Sequence, residues 1–239
     1  MINWQIKYPI LAKNGSIGYF LAMKSVTEMI LEHGLADRFI RASNLERLIE
    51  GSPERRYGLV NRAIKSVELV RLQRGLYVLA DRYRSHPCHS FAVAQALVPG
   101  SYISFETAMA YHGWIPERVY TTASVVPGRK SRRYENERLG EYSFHSLALQ
   151  PGYFLELVNR VNVDGQMALV ADPCRALMDL VCLKKVIWKG MGWLLEGLRI
   201  DFDLLGTITK EDIALLELVY KHERMRSFLS SFRRELSLD

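Results

Sequence analysis

Two short motifs in this 239-residue chain have the residue types and spacing of reaction chemistry. Asp201-Phe202-Asp203 is the Asp-x-Asp pattern with which a nucleotidyltransferase or nuclease holds magnesium ions, because paired carboxylates place metals against phosphate oxygens. That chemistry also needs an upstream Gly-Ser phosphate turn. GMGWLLEGLRI supplies Gly190 and Gly192 without a serine, so the acidic pair is expected at a helix end. His86, Cys88 and His89 are zinc-ligand types, but no matching pair follows downstream and Pro87 sits among them. His112, between Tyr111 and Gly113, reads as a hydrogen-bonded histidine at a helix C-terminus. No serine, cysteine or threonine stands in a nucleophile-elbow setting. No catalytic residue, metal or cofactor is expected. The enzymatic alternative is a metal-dependent nucleotidyltransferase or nuclease centred on Asp201 and Asp203.

Recognition of a polyanion has more residues behind it. In PERRYGLVNRAIKSV (53–67), Val60, Ile64 and Val67 recur at helical spacing and point inward. Arg55, Gly58, Arg62 and Lys65 recur on the opposite stripe, flanked by Arg56, Tyr57 and Asn61. Arg and Asn are side chains that read base edges in a major groove. The next segment, ELVRLQRGLYVLA, predicts two strands, Leu69–Leu72 and Leu76–Leu79, joined by a tight Gln73-Arg74-Gly75 turn. Arg71 and Arg74 are expected beside the sugar-phosphate backbone. A further basic run, Arg129-Lys130-Ser131-Arg132-Arg133, has two readings. One is an exposed hairpin loop balanced by Glu135, Glu137 and Glu141. The other is a second anion-binding surface for DNA backbone, an RNA or a nucleotide.

Short helices must position the first basic stripe. Residues 17–33 predict a helix with Phe20, Met23, Val26 or Thr27, Ile30 and Leu31 on its apolar stripe, stopped by Gly34. Ser43 and Glu46 predict a capping box for a second helix, and Ser52-Pro53 opens the basic one. Helix, helix and basic hairpin together predict a winged helix-turn-helix. Charge supports the same division. The whole chain carries +6, with 14 Lys/Arg against 8 Asp/Glu in residues 1–84 and 18 of each in residues 85–239. The fold class expected is therefore α+β: a basic winged-helix domain (1–84), then a larger neutral mixed domain (85–239).

In that second part the pattern predicts helices at 89–98, 104–111 and 173–184. Strands are predicted at 119–126, 141–147 and 166–171, and helices from Thr209 to His222 and from Arg224 to Leu236. The helix after Asp172-Pro173 shows one apolar face: Ala176, Leu177, Leu180 and Leu183. No run of 18 apolar residues and no leader pattern is present, and three scattered cysteines suit a reducing cytoplasm.

The run YISFETAMAYHGWIPERVYTTASVVPGR, preceded by RGLYVLADRY and ALVPGS and followed by ADPCRALMDLVCL, resembles the AbiEi family of type IV antitoxins from bacterial abortive-infection (phage-defence) operons. The likeness covers roughly residues 70–185. At Cys174-Arg175 the family has an acidic residue followed by lysine, so here the basic member is kept in type and the acidic one is not. The resemblance implies a winged helix that binds operator DNA and represses its own operon, with more than one copy on operator repeats. It also implies a C-terminal domain that counters a nucleotidyltransferase-like toxin without a stable complex. A rival of another class is a pure interaction module whose wing docks protein.

Overall fold

The structure, a computed structural model, describes residues 24–237. The chain divides into two compact units, with the boundary between Arg84 and Ser85.

In the first unit, helix α1 (Val26–Glu32) opens with a capping box. Ser25 Oγ accepts the Glu28 N–H at 3.1 Å, and the Glu28 carboxylate accepts the Ser25 N–H at 2.7 Å. The helix starts at Val26 behind its Ser25 cap; residues 17–23 of the expected helix, Phe20 and Met23 among them, lie outside the described residues. Leu31, expected on the buried stripe, is exposed. Gly34, with φ 65°, ends the turn as expected. Strand β1 (Ile40–Arg41) leads into helix α2 (Ala42–Leu48), which begins two residues before the Ser43 box predicts. Arg41 occupies the N-cap, and Asn44 Oδ1 accepts its N–H at 2.9 Å. Asn44 is the local side chain whose spacing suits that earlier start.

Ser52 caps helix α3 (Pro53–Lys65), accepting the Arg55 N–H at 3.3 Å, with proline first in the helix where no hydrogen bond is lost. The helix stops at Lys65, so Val67 leaves the predicted stripe and adopts φ 57°. Strands β2 (Leu69–Gln73) and β3 (Leu76–Leu79) form an antiparallel hairpin with Leu69 opposite Leu79. β1 pairs with the other edge of β3, giving the order β1-β3-β2. Ile30, Ile40, Leu45, Leu59, Ala63 and Leu69 meet in the core of this unit. Each large aliphatic side chain there contributes about 1.5–3 kcal/mol by leaving water. Polar ties close the unit: Thr27 Oγ1 donates to the Glu68 carboxylate at 2.7 Å, and Arg84 donates to the Ala36 carbonyl at 3.2 Å.

The second unit is mixed α+β. Its elements are α4 (Ser90–Leu97), β4 (Tyr102–Ile103), α5 (Phe105–Tyr111), β5 (Thr121–Val125), β6 (Arg132–Asn136), β7 (Gly140–His145), β8 (Val158–Val163), β9 (Gln166–Ala171), α6 (Pro173–Lys184), α7 (Phe202–Leu205), α8 (Lys210–Val219) and α9 (Glu223–Glu235). The six strands form one sheet in the order β6-β7-β5-β4-β9-β8. The hairpins β6/β7 and β8/β9 are antiparallel, β5/β7 and β4/β9 are parallel, and β4/β5 is antiparallel. Helix α4 packs on β4, β5 and β9; α5 packs on β5 and α6; α6 packs on β9 and α8.

Strands β6 and β8 are additions to the sequence expectation. Both are edge strands: β6 is polar and largely exposed, and β8 sets Val158, Val161 and Val163 at uneven spacing among polar residues, so neither shows the alternation that marks a half-buried strand. β6 also begins inside the basic run that was expected as a loop. Helix α6 differs from its expected one-sided burial, since every residue from Cys174 to Cys182 is buried. Helix α8 ends at Val219, three residues short of the prediction.

One side chain stands in for part of the sheet. β5 has five residues and β4 only two, so the first half of β5 runs past its neighbour. Thr107 of α5 meets it there: its Oγ1 donates to the Thr121 carbonyl at 3.0 Å and accepts the Ala123 N–H at 2.9 Å. Among the described residues, no helix is long and apolar enough to cross a membrane.

Candidate nucleic-acid interface

Helix α3 buries Leu59, Val60 and Ala63 and turns Arg62 and Lys65 to solvent, with Asn61 half-buried beside them. Among the described residues, no carboxylate pairs with Arg62, Lys65 or Arg74. Two expected base readers have another occupation. Arg55 Nη1 donates to the Glu50 carbonyl, and Arg56 Nη1 donates to the Gly51 carbonyl at 2.8 Å. Both guanidinium groups thereby hold the turn between α2 and α3, and each keeps further N–H donors for a ligand.

The outer face holds two further features that a charge count passes over. Tyr57 is 71% exposed, a large aromatic ring left in water. Gly58 sits mid-helix with no heavy atom within 4 Å of where a Cβ would stand. Glycine at such a position costs about 1 kcal/mol relative to alanine, and no neighbour among the described residues requires it. On the hairpin, Arg71 of β2 and Arg74 of the β2–β3 turn are exposed, and Gly75 takes the left-handed turn position with φ 77°. The arrangement presents cations on one helix and one adjoining hairpin, which is chemistry suited to phosphate backbone and base edges.

The second basic surface is built differently. Arg129 and Lys130 lie in the exposed bend after β5, whereas Arg132 and Arg133 belong to β6. Arg133 makes a 3.4 Å ion pair with Glu141 of β7, so one of the expected balancing carboxylates does engage the run.

A third cluster of charge lies inside the second unit, where residue counting places none. Arg175 and Asp179, one turn apart on α6, are both 0% exposed and pair at 3.0 Å. The Asp179 carboxylate also accepts the hydroxyls of Tyr102 (2.9 Å), Ser104 (2.8 Å) and Tyr220 (2.8 Å). Arg175 donates onward to the Tyr102 hydroxyl and to the Glu156 carbonyl, each at 2.6 Å. Burial, reinforced by the Asp179 charge, pushes both phenols well above their ordinary pKa. For Arg175, burial pulls the pKa down, but Asp179 and the two phenols outweigh it and the guanidinium stays charged. Ser104, the N-cap residue of α5, makes no side-chain cap and spends its hydroxyl here. The network joins β4, α6, the 153–156 segment and the end of α8. Its sequence signal was an i, i+4 Arg/Asp pair in an otherwise apolar helix.

The remaining motifs take structural roles. Asp201 caps α7 by accepting the Asp203 N–H at 3.0 Å. His112 Nε2 is 3.0 Å from the Ala171 carbonyl, and His89 Nδ1 accepts the Phe91 N–H at 3.2 Å as the cap of α4. Among the described residues, no three His, Cys, Asp or Glu side chains come together as a metal site, at Asp201/Asp203 or at His86/Cys88/His89. Comparison with protein-family models and with curated proteins produced no match to this chain.

Proposed function

We propose that this chain is a DNA-binding antitoxin of the AbiEi type, whose first unit is a winged helix-turn-helix that represses its own operon. The observation that carries the DNA-binding part is the outer face of α3, with exposed Arg62 and Lys65, unpaired with any carboxylate among the described residues, beside Asn61. It sits in a chain order of α1, β1, α2, α3, β2 and β3 around a β1-β3-β2 sheet. In this reading α3 enters the major groove of double-stranded operator DNA, and Arg71 and Arg74 follow the phosphates. Counter-ion release supplies affinity, and several copies on operator repeats supply specificity. The antitoxin part rests on the family resemblance of residues 70–185. It assigns to the second unit the neutralisation, without a stable complex, of a nucleotidyltransferase-like toxin in the cytoplasm.

A gel shift with the chain's own promoter tests the reading. Wild type is expected to retard that fragment in preference to an unrelated duplex. Arg62→Ala/Lys65→Ala is expected to weaken binding at least tenfold and to relax the preference for that promoter. Equal binding by the double variant would exclude α3 as the recognition helix.

A further inference from the structure

The second unit contains an open groove of about 960 Å³ beside the second basic surface. Its floor comes from the parallel pair β5 and β7, where Thr121, Ala123, Ser143 and His145 share one face through the register Thr121 to Glu141 and Ala123 to Ser143. The volume lies within the range of small-molecule sites, about 300–1,000 Å³.

Charge around this groove is sorted by sign. Its two lining carboxylates, Glu106 and Glu117, are each neutralised by a cation that does not line it: Lys184 at 2.7 Å and Arg199 at 3.2 Å. Its three lining arginines are Arg118, Arg132 and Arg133. Among the described residues Arg118 and Arg132 have no carboxylate partner, and Arg133 has only the long pair with Glu141. The lining is therefore left with excess positive charge directed at the open space.

An aromatic ring stands among those arginines. Tyr120 is 80% exposed, the most exposed large apolar side chain among the described residues. The Arg118 guanidinium lies 5.3 Å from its ring centroid. Such a ring offers a flat surface to a base, while arginines offer forked donors to phosphate. Hydroxyls of Thr121, Ser131 and Ser143 on the same lining suit a sugar or a base edge.

We propose that this groove binds a nucleotide unit, with its phosphate on Arg132 and Arg133 and its base against Tyr120. The unit is either a free nucleotide or one residue of a single strand. This site is separate from the duplex-binding face of α3 and does not depend on that assignment.

The test uses the full chain carrying Arg62→Ala/Lys65→Ala, so that any duplex-type binding by α3 is weakened. ATP is titrated by calorimetry, and a fluorescein-labelled six-nucleotide oligo(A) RNA is titrated by anisotropy. Binding is expected, weakened roughly fivefold or more by Tyr120→Ala and kept within twofold by Tyr120→Phe. Arg132→Ala/Arg133→Ala is expected to weaken it at least tenfold and to flatten its salt dependence. Tight binding of ATP identifies a free nucleotide, and binding of the RNA alone identifies a strand residue. Unchanged melting temperatures separate these losses from misfolding, as expected for exposed side chains. Absence of binding by both probes overturns the proposal. So does equal binding by the Tyr120→Ala and double-arginine variants.

Discussion

Helix α3 has 13 residues and helix α6 has 12, and each opens with proline behind a polar N-cap, Ser52 in one and Asp172 in the other. Their cations then face opposite surroundings. On α3 the cationic heads of Arg62 and Lys65 stay in water, where hydration is kept and an anion can displace counter-ions. On α6, Arg175 has left water entirely and is compensated by one carboxylate, a phenol and a backbone carbonyl. On the proposed function, removal of a cation from α3 takes away a ligand contact, whereas removal of a partner from α6 strands a charge in the interior. The same residue type thus faces solvent in one unit and is built into the interior of the other.

The strongest way to break that contrast is Asp179→Ala. It leaves the Arg175 guanidinium buried without its counter-charge and is expected to destabilise the chain by about 3–5 kcal/mol. Urea denaturation measures it, and Asp179→Asn is expected to lose less because an amide oxygen still accepts. Arg62→Ala/Lys65→Ala should leave the urea midpoint where it is in the wild type. A comparable loss in both variants would erase the distinction between the two helices.

A smaller effect sharpens the contrast on the α3 side. Gly58→Ala should stabilise the first unit by about 1 kcal/mol, since the added methyl meets no protein atom. Promoter affinity should nevertheless fall several-fold, because the methyl stands on the face assigned to DNA. If gel shifts show affinity rising with stability, Gly58 lies away from the interface.

The smallest effect concerns pH. Partial burial holds His89 and His145 below the ordinary value of 6.5, against the opposing pull of Asp164 on His89 and Glu106 on His145. The unfolded chain then binds these protons more readily than the folded one. Their contribution is complete above pH 6.5 and is lost as pH falls from there through their folded values. Thermal unfolding between pH 7.5 and 5.5 should show this decline, and His89→Asn/His145→Asn should flatten it. An unaltered slope in the double variant would assign the decline to other groups.

Legibility in the sequence followed how one-sided each element is. Helix α3, its Ser52-Pro53 start, the β2/β3 hairpin and the Thr209/Asp212 box at α8 could all be read, because each depends on neighbours within a few residues. The box places the Asp212 carboxylate 2.9 Å from the Thr209 N–H, a contact that spacing alone anticipates. Edge strands β6 and β8 were opaque because β6 is largely polar and the valines of β8 fall at uneven spacing, so neither has an apolar alternation. Helix α6 is buried beyond its expected apolar face of Ala176, Leu177, Leu180 and Leu183, because Arg175 and Asp179 are buried as well. Their partners Tyr102, Ser104 and Tyr220 lie 41 to 77 positions from Asp179, beyond any local pattern. The groove shows the same limit: Arg118 and Tyr120 belong to an irregular stretch, and only the fold brings them beside Arg132 and Arg133. Arg55 and Arg56 were placed on the correct helix, but their hold on the preceding turn depends on carbonyl directions that residue types do not encode.

The Thr107 hydroxyl on β5 has a kinetic consequence. Because one oxygen both receives the Ala123 amide and donates to the Thr121 carbonyl, α5 cannot lift away without unprotecting that amide. Helix and strand should therefore open as one cooperative unit, and the deuterium uptake of the Ala123 amide becomes a direct clock for the undocking of α5.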